Sequence, residues 1–259
     1  MDLGIVGRRA LVWGGSRGLG KAVGRQLAQE GVQVTLLART EAALRQAQDE
    51  IEQAVGVRPQ AVVADITRDE GRQAALAACP QPDILINNAS GPAPGDFRHW
   101  TRQHWLDALD GMMLGPIEMM RLTVDGMRQR GFGRIVNITS RSVKIPQLEL
   151  GLSNSARSGL TGFVAGLSRT VVRDNVTINN ILPGIFDTDG QWQHIQSLVA
   201  QTGKSYEQLH QERAAANPAG RYGQPEEFGA ACAFLCSRQA AFITGQNWLI
   251  DGGSYPGTF

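Results

Sequence analysis

Cysteine, long apolar runs and clustered basic residues are scarce in this sequence, and each shortage excludes a class of protein. The chain has 259 residues and three cysteines, Cys79, Cys232 and Cys236. Their odd number and spacing match no zinc site, so no metal site is predicted. We interpret Cys232 and Cys236, one helical turn apart among apolar residues, as small buried hydrophobic side chains.

The distribution of charged and apolar residues argues against nucleic-acid binding, a membrane span and a signal peptide. The formal net charge is +1 and the sequence contains no run of Lys or Arg, so nucleic-acid binding is not expected. No window approaches about 20 uninterrupted apolar residues, so no membrane-spanning helix is predicted. The N-terminal residues lack a charged segment followed by a long apolar stretch, and we therefore expect no signal peptide and a cytoplasmic protein.

Short apolar runs alternate along the chain with longer segments of helical pattern. The runs are rich in Val, Ile and Leu without in/out alternation, which is typical of strands buried on both faces. Strands are predicted at 10–13, 33–37, 60–64, 84–87, 134–138, 177–182 and 247–250, and helices near 19–30, 41–54, 68–78, 101–129, 153–173 and 225–236. This alternation predicts an α/β fold, a single Rossmann-type domain over residues 1–259 with a doubly wound parallel sheet of about seven strands and helices on both faces.

The segment from Phe186 to about Gly223 interrupts this alternation. It contains Trp192, Ile195 and Tyr206 among apolar residues at roughly helical spacing, and no strand pattern. Long excursions from a compact domain usually have a function. We therefore predict a helical lid over the ligand site, the alternative being a helical hairpin with no role beyond the fold.

A glycine-rich loop follows the first predicted strand and leads directly into a helix. Glycines allow a tight turn and close approach of the backbone to a pyrophosphate, while the helix N-terminus offers free N–H groups. The position between a strand and a helix at the start of an alternating chain supports dinucleotide binding. The predicted phosphate contacts are Gly14, Ser16, Arg17, Gly18, Leu19 and Gly20.

The end of the second strand indicates which dinucleotide binds. NAD-binding proteins place an acidic residue there to hold the ribose 2′-hydroxyl. This chain instead has Arg39, and no acid occurs before Glu41. The guanidinium groups of Arg39 and Arg17 suit the oxygens of a 2′-phosphate, so the sequence predicts NADP(H).

Several further motifs occur in an order that resembles the short-chain dehydrogenase/reductase family, in particular its 3-oxoacyl-carrier-protein reductases. The matching segments are Gly14–Gly20, Asp65-Ile66, Asn87–Ser90, Gly133–Ile138, Pro183–Thr188 and Ile250–Gly253. The resemblance implies that Asp65 and Ile66 contact adenine, and that Asn88 and Ala89 contact the adenosine ribose. It also implies that Pro183, Gly184, Ile185 and Thr188 hold the nicotinamide carboxamide.

The same resemblance implies a catalytic set of Asn, Ser, Tyr and Lys, and the chain departs from it. Ser140 matches the serine, but Ser153 stands where the proton-donating tyrosine is expected and Arg157 where the ribose-binding lysine is expected. Met112 stands at the asparagine position, where a side chain would anchor a water relay. A serine hydroxyl is a far weaker acid than a phenol of pKa about 10, whereas arginine keeps its charge.

These residues favour an NADP(H)-dependent oxidoreductase of the carbonyl reductase or alcohol dehydrogenase type, with Ser140, Ser153 and Arg157 as an atypical catalytic set. The expected substrate is a small-molecule carbonyl compound or alcohol, as opposed to a macromolecule, and Phe186 and Trp192 indicate that it is fairly large or apolar. Two alternatives remain, a non-redox enzyme and a cofactor-holding binding protein on the same scaffold. The resemblance also implies a homo-oligomer, a tetramer or a dimer.

Overall fold

Seven parallel strands form one sheet in the computed structural model, which describes residues 1–258 apart from the side chains of Ser197 and Gln201. The strands are β1 (Arg9–Trp13), β2 (Gln33–Ala38), β3 (Gln60–Val63), β4 (Ile84–Asn88), β5 (Gly133–Ile138), β6 (Val176–Pro183) and β7 (Asn247–Ile250). Their spatial order is β3-β2-β1-β4-β5-β6-β7. The order in which strands are added reverses between β1 and β4, because β2 and β3 lie on one side of β1 and β4 to β7 on the other. Parallel α/β sheets bind ligands at such a point.

Helices cover both faces of this sheet and confirm the predicted fold class. They are α1 (Gly18–Gln29), α2 (Glu41–Val55), α3 (Asp69–Ala78), α4 (Arg102–Leu109), α5 (Gly115–Gln129), α6 (Gly151–Val171), α7 (Asp189–Thr202), α8 (Tyr206–Ala215) and α9 (Pro225–Cys236). The helix predicted near 101–129 is confirmed, and a π-helical turn at Asp110–Leu114 divides it into α4 and α5 without breaking the helical backbone.

The two faces of the sheet bury separate apolar clusters. One cluster packs Val12 and Leu36 against Phe228 of α9, and the other packs Leu11 against Met119 of α5. Every residue of β5 is buried. This burial explains why the strands show no polar alternation in the sequence. Cys232 and Cys236 are buried free thiols, as predicted, and so is Cys79.

Asparagine side chains link the four neighbouring strands from β4 to β7. Asn87 Nδ2 donates to Asn137 Oδ1 at 2.9 Å, and Asn137 Nδ2 donates to Asn180 Oδ1 at 3.0 Å. Asn180 Nδ2 donates to Asn247 Oδ1 at 2.8 Å, so the ladder runs from β4 to β7. Buried amides need such partners, and the ladder fixes the relative positions of the strand ends that form the site.

The lid segment leaves the sheet after β6 and folds as α7 and α8. Its two ends meet where Phe186 and Gly223 form a parallel β-bridge. Ile195 and Leu209 are buried in a small separate cluster between the two helices. The prediction of a helical excursion is therefore confirmed. Phe186 is an exception, because it packs edge-on against Phe228 in the main core at a centroid distance of 5.3 Å.

A membrane-spanning segment is absent from the described part of the chain. Among residues 1–258, no helix combines the length and the apolar character that crossing a bilayer requires.

Candidate active site

The glycine-rich loop forms a cradle at the carboxyl end of β1. Gly14 and Gly18 have φ angles of +63° and +54°, a region that favours glycine. A Cβ atom on Gly20 would overlap the carbonyl oxygen of Gly14 and lie 2.8 Å from Asn88 Nδ2. Asn88 Nδ2 donates to that same carbonyl at 3.4 Å. The loop therefore has the close backbone packing that brings helix α1 and its free N–H groups toward a phosphate.

Two arginines, Arg39 after β2 and Arg68 after β3, lie near Asp65. Asp65 follows β3 and accepts hydrogen bonds from the backbone N and the Oγ1 of Thr67, at 2.9 and 2.8 Å. Burial raises the pKa of Asp65, but these bonds and the charges of Arg39 and Arg68 outweigh it and lower the pKa overall. Arg39 is exposed near Asp65, which is where an adenosine 2′-phosphate group is expected. Sequence reasoning missed Arg68, because its position depends on the turn after Asp65.

The segment after β6 faces the glycine-rich loop. A Cβ atom on Gly18 would lie 3.8 Å from Thr188, so the start of α7 approaches the start of α1. Gly184 N donates to Ile250 O at 2.8 Å, and its own Cβ position is filled by Asp251. The Pro183–Thr188 segment thus lies beside the cradle, as the predicted nicotinamide site requires.

Arg157 and Ser153 form a buried hydrogen-bonded unit on α6. Arg157 Nε donates to Ser153 Oγ at 3.1 Å, and both residues are 8% exposed. Arg157 Nη1 donates to Ile138 O at 2.8 Å, and Nη2 donates to Ala89 O at 2.9 Å. The guanidinium therefore ties α6 to the ends of β4 and β5. The structure thus adds a structural role for Arg157, and its contact with a ribose stays a prediction.

The charge on Arg157 is buried without compensation from a nearby carboxylate. Burial lowers its pKa to about 10, and no charged group among the described residues adds to that shift. A pKa of about 10 leaves the guanidinium protonated at neutral pH. Backbone carbonyls and Ser153 Oγ hold it in place, so a positive field exists at the carboxyl edge of the sheet.

Ser140 lies at the end of β5 and begins a short 3₁₀ turn. Its Oγ accepts a hydrogen bond from Ser142 N at 3.1 Å. Met112 is buried, and a Cβ atom on Gly91 would lie 3.7 Å from both Met112 Sδ and Ser153 Oγ. Met112 and Ser153 thus both approach Gly91, and the position of Met112 in place of the family's relay asparagine stays a prediction.

The lid supplies aromatic groups, but these contact mainly one another, edge-on at Trp192 and stacked from Tyr206 to Tyr222. Trp192, Tyr206, His210 and Tyr222 form a column, with ring centroids 6.4, 5.9 and 4.4 Å apart. Tyr222 is buried at the lid base, whereas Trp192 is 54% exposed and donates to Asp187 Oδ1 at 2.8 Å. Phe186 belongs to the core, so it does not support the prediction of an apolar substrate.

The C-terminal turn reaches the loop that follows Ser140, which sequence reasoning missed. Lys144 Nζ lies 5.3 Å from the centroid of the Tyr255 ring. Asp251 Oδ2 accepts from Tyr255 N at 2.9 Å, and Asn217 Nδ2 donates to Asp251 O at 2.9 Å. The turn thus contacts both the Ser140 loop and the base of the lid. No sequence spacing signals a contact between residues so far apart.

Metal ligation has no support in the described residues. Within residues 1–258, no group of three or more His, Cys, Asp or Glu side chains is arranged to hold a metal ion.

Comparisons with known proteins agree with this geometry. Residues 14–255 match a family model described as enoyl-(acyl carrier protein) reductase. The chain is 29% identical over 257 residues to the 3-oxoacyl-acyl-carrier-protein reductase FabG of Vibrio cholerae, covering 98% of this chain and 99% of the relative. It is 30% identical over 254 residues to acetoacetyl-CoA reductase of Cupriavidus necator, covering 96% and 99%. The crystal structure of L-sorbose reductase from Gluconobacter frateurii, complexed with NADPH and L-sorbose, superposes with a TM-score of 0.93 at 28% identity and full coverage of both chains.

Proposed function

Because the chain belongs to the short-chain dehydrogenase/reductase family, we propose that it is an NADP(H)-dependent oxidoreductase acting on a small carbonyl compound or alcohol. The cradle formed by Gly14, Gly18 and Gly20 supports this proposal, since side chains at Gly14 and Gly20 would overlap Asn88 and the loop backbone, and Gly18 has a positive φ angle, so the tight turn depends on glycine. L-sorbose reductase, which shares the fold over its full length, was crystallised with NADPH. A cytoplasmic location remains part of the proposal.

The residues of this chain divide into cofactor-holding and substrate-facing groups. The loop Gly14–Gly20 would bind the pyrophosphate, and Arg39 with Arg17 and Arg68 would bind the 2′-phosphate. Adenosine and nicotinamide contacts are assigned to Asp65, Ile66, Asn88, Ala89, Pro183, Gly184, Ile185 and Thr188. When bound, the cofactor supplies the hydride, and the protein orients the reacting atoms.

The substrate oxygen is assigned to Ser140 and Ser153. Each serine hydroxyl can donate a hydrogen bond, and Arg157 adds a positive field through Ser153. Such donors stabilise negative charge that develops on a carbonyl oxygen. In this proposal the Ser153–Arg157 unit occupies the place of the family's Tyr–Lys pair, and the active site is therefore atypical. The lid at 186–223 would cover the bound substrate.

NADPH is expected to bind about tenfold more tightly than NADH, or better, because guanidinium groups pair well with a phosphate dianion. Calorimetric titration of the purified protein with each cofactor measures the ratio. Arg39→Ala should remove most of the preference, whereas Arg45→Ala, which alters an exposed pair with Glu41, should not. Equal affinities for the two cofactors in the wild-type protein would contradict the assignment of Arg39.

The serine at position 153 also favours a second candidate, a non-redox enzyme or cofactor-holding protein on the same scaffold. Ser153 cannot act as the phenolic acid that the family uses. NADPH deuterated at C4 separates the candidates, because an oxidoreductase transfers the label to its product. Turnover that leaves the label on the cofactor would favour the non-redox enzyme.

A homotetramer or homodimer is expected to form through α5 and α6. Leu122 on α5 and Phe163 on α6 are 39% and 40% exposed, and Gly162 and Gly166 leave open space on α6. Gly151 and Gly159 on the same helix instead pack against Trp100 and Met113 within the chain.

Light scattering on the double variant Leu122→Asp, Phe163→Asp tests this surface. We expect the mass to fall to that of a smaller assembly, since charges buried at an apolar interface oppose association. Val57→Asp, at an exposed position away from α5 and α6, should leave the mass unchanged. An unchanged mass in the double variant would mean that another surface assembles the protein, or that the protein is a monomer.

A further inference from the structure

The lid contains a cavity between the start of α7 and the start of α8. Its volume of about 610 Å³ lies within the range of about 300–1,000 Å³ that small-molecule sites occupy. The lining side chains are Asp189, Trp192, Gln193, Gln196, Tyr206 and Glu207. None of these residues belongs to the predicted cofactor-binding or catalytic set, so the cavity is a candidate for a separate binding site.

Two aromatic rings form adjacent walls of this cavity. The indole of Trp192 and the phenol ring of Tyr206 have centroids 6.4 Å apart and planes at 71°. Trp192 Nε1 donates to Asp187 Oδ1 at 2.8 Å, which orients the indole although 54% of the residue is exposed. Tyr206 is held by its stack with His210. The two oriented rings thus make a corner, and cations are attracted to aromatic faces within about 6 Å of the ring centroid.

The carboxylates around this corner carry negative charge without a basic partner. Asp189 and Glu207 line the cavity, and Asp187 lies beside it through its bond to Trp192. Within residues 1–258, no Lys or Arg side chain forms an ion pair with any of these three carboxylates. Burial, followed by the negative charges of Asp187 and Glu207, raises the pKa of Tyr206. The field at the cavity is therefore negative and attracts a positively charged ligand.

The basic residues of the lid that are close to the cavity along the chain have other contacts. Lys204, which lies just before α8, pairs with Glu212 through Nζ at 2.7 Å. Arg213, near the end of α8, lies beside Tyr222 at the lid base. Neither side chain neutralises the corner, so the missing positive charge has to come from the ligand.

The chemistry of the cavity walls favours an organic cation over a metal ion. Mg²⁺ and Ca²⁺ take about six or more oxygen ligands, and no group of three or more ligating side chains is arranged for a metal in the part of the chain that the structure describes. Aromatic faces instead suit an ammonium group that carries alkyl substituents, because its charge lies under an apolar surface.

We propose that this lid cavity binds a small alkylated ammonium compound. Trp192 and Tyr206 contact its alkyl groups, and Asp189 and Glu207 balance its charge, so the ligand joins α7 to α8. Binding needs no nicotinamide cofactor, and the inference is therefore independent of the proposed oxidoreductase function. A free ammonium compound and a substrate with an ammonium end share this chemistry.

Calorimetric titration of the cofactor-free protein with choline and with 3,3-dimethylbutanol tests the site, because the alcohol has the same shape without the charge. We expect choline to bind about tenfold more tightly, or better, and the difference to shrink at high salt. Trp192→Leu should remove most of the preference, whereas Trp248→Leu, at a partly exposed tryptophan of β7, should keep it. Equal affinities in the wild-type protein, or no choline binding at millimolar concentration, would overturn the proposal.

The charge of the cavity walls is tested with the double variant Asp189→Asn, Glu207→Gln. It should weaken choline binding about tenfold and leave the affinity for 3,3-dimethylbutanol unchanged, since only the cation interacts with the carboxylates. Glu70→Gln, which neutralises an exposed carboxylate on α3, is the matched control. Circular dichroism checks that the double variant is folded. Wild-type choline affinity in the folded double variant would overturn the proposal.

Turnover in the presence of NADPH separates the two sources of the cation. A methyl ketone with a trimethylammonium end is compared with its tert-butyl isostere. A kcat/KM about tenfold higher for the cationic ketone, lost in Trp192→Leu, would assign the ammonium group to the substrate. Equal values together with choline binding would identify a free cation as the ligand. Failure of the protein to bind NADPH would contradict the proposed function, whereas the choline titration would still decide the cavity.

Discussion

Arg157→Met is expected to lower NADPH-dependent turnover by about 100-fold or more and the free energy of unfolding by about 2–4 kcal/mol. The guanidinium donates to Ile138 O, Ala89 O and Ser153 Oγ. A methionine side chain fills similar space but donates no hydrogen bond. Removing the donors leaves buried acceptors without partners, which costs more than the net value of the bonds.

Both effects can be measured separately. Urea denaturation gives the stability, and an assay at a temperature where the variant is folded gives the turnover. Arg157→Lys should recover part of the stability, because an ammonium group keeps the charge but does not have the planar fork that reaches both carbonyls. Arg169→Met, an exposed arginine on the same helix, is the matched control. Wild-type turnover in a folded Arg157→Met variant would show that the buried charge has no part in the chemistry.

Gly20→Ala is expected to weaken NADPH binding by about 100-fold, because the added methyl group would overlap the carbonyl oxygen of Gly14. Either the turn opens or α1 moves away from β1, and both changes displace the N–H groups that meet the pyrophosphate. The methyl group would also approach Asn88 Nδ2, which bonds to the same carbonyl. Calorimetric titration with NADPH measures the loss.

Gly162→Ala supplies the control for this substitution. Apart from the backbone of α6 itself, the described residues leave the Cβ position on Gly162 open, and Gly162 is exposed in the middle of α6. Alanine stabilises a helix relative to glycine by about 1 kcal/mol, so this variant should bind NADPH normally and melt at an equal or higher temperature. If Gly20→Ala also bound NADPH with wild-type affinity, the glycine-rich loop would not be the pyrophosphate site.

The structural role of Ser153 and Arg157, which replace the expected tyrosine and lysine, depends on contacts between segments that are distant along the chain. The alignment of Ser153 and Arg157 can be predicted from their spacing after Ser140. Their hydrogen bonds cannot, because Ala89 O belongs to the end of β4 and Ile138 O to the end of β5. The sequence alone suggested that Arg157 binds a ribose. In the fold, three N–H groups of Arg157 instead donate to Ser153 Oγ, Ile138 O and Ala89 O.

The lid was likewise predicted only in part from the sequence. Its helical pattern, Trp192 and Tyr206 predict an excursion of two helices. Phe186, however, lies at the point where the chain leaves the sheet, and its ring contacts Phe228 of α9 rather than a ligand. An apolar residue at a segment boundary can pack to either side, and periodicity does not distinguish the two.

The sequence by itself determined the parallel α/β fold, the glycine cradle and the Arg39 position, because short-range features carry them. Strand and helix periodicities are local, and a glycine-rich turn between a strand and a helix needs no distant partner. Tertiary structure alone decided the asparagine ladder across β4–β7, the contact of Lys144 with Tyr255 and the hydrogen bonds of Arg157 to Ile138 O and Ala89 O. These features depend on strand order and register, which bring together residues that are far apart along the chain.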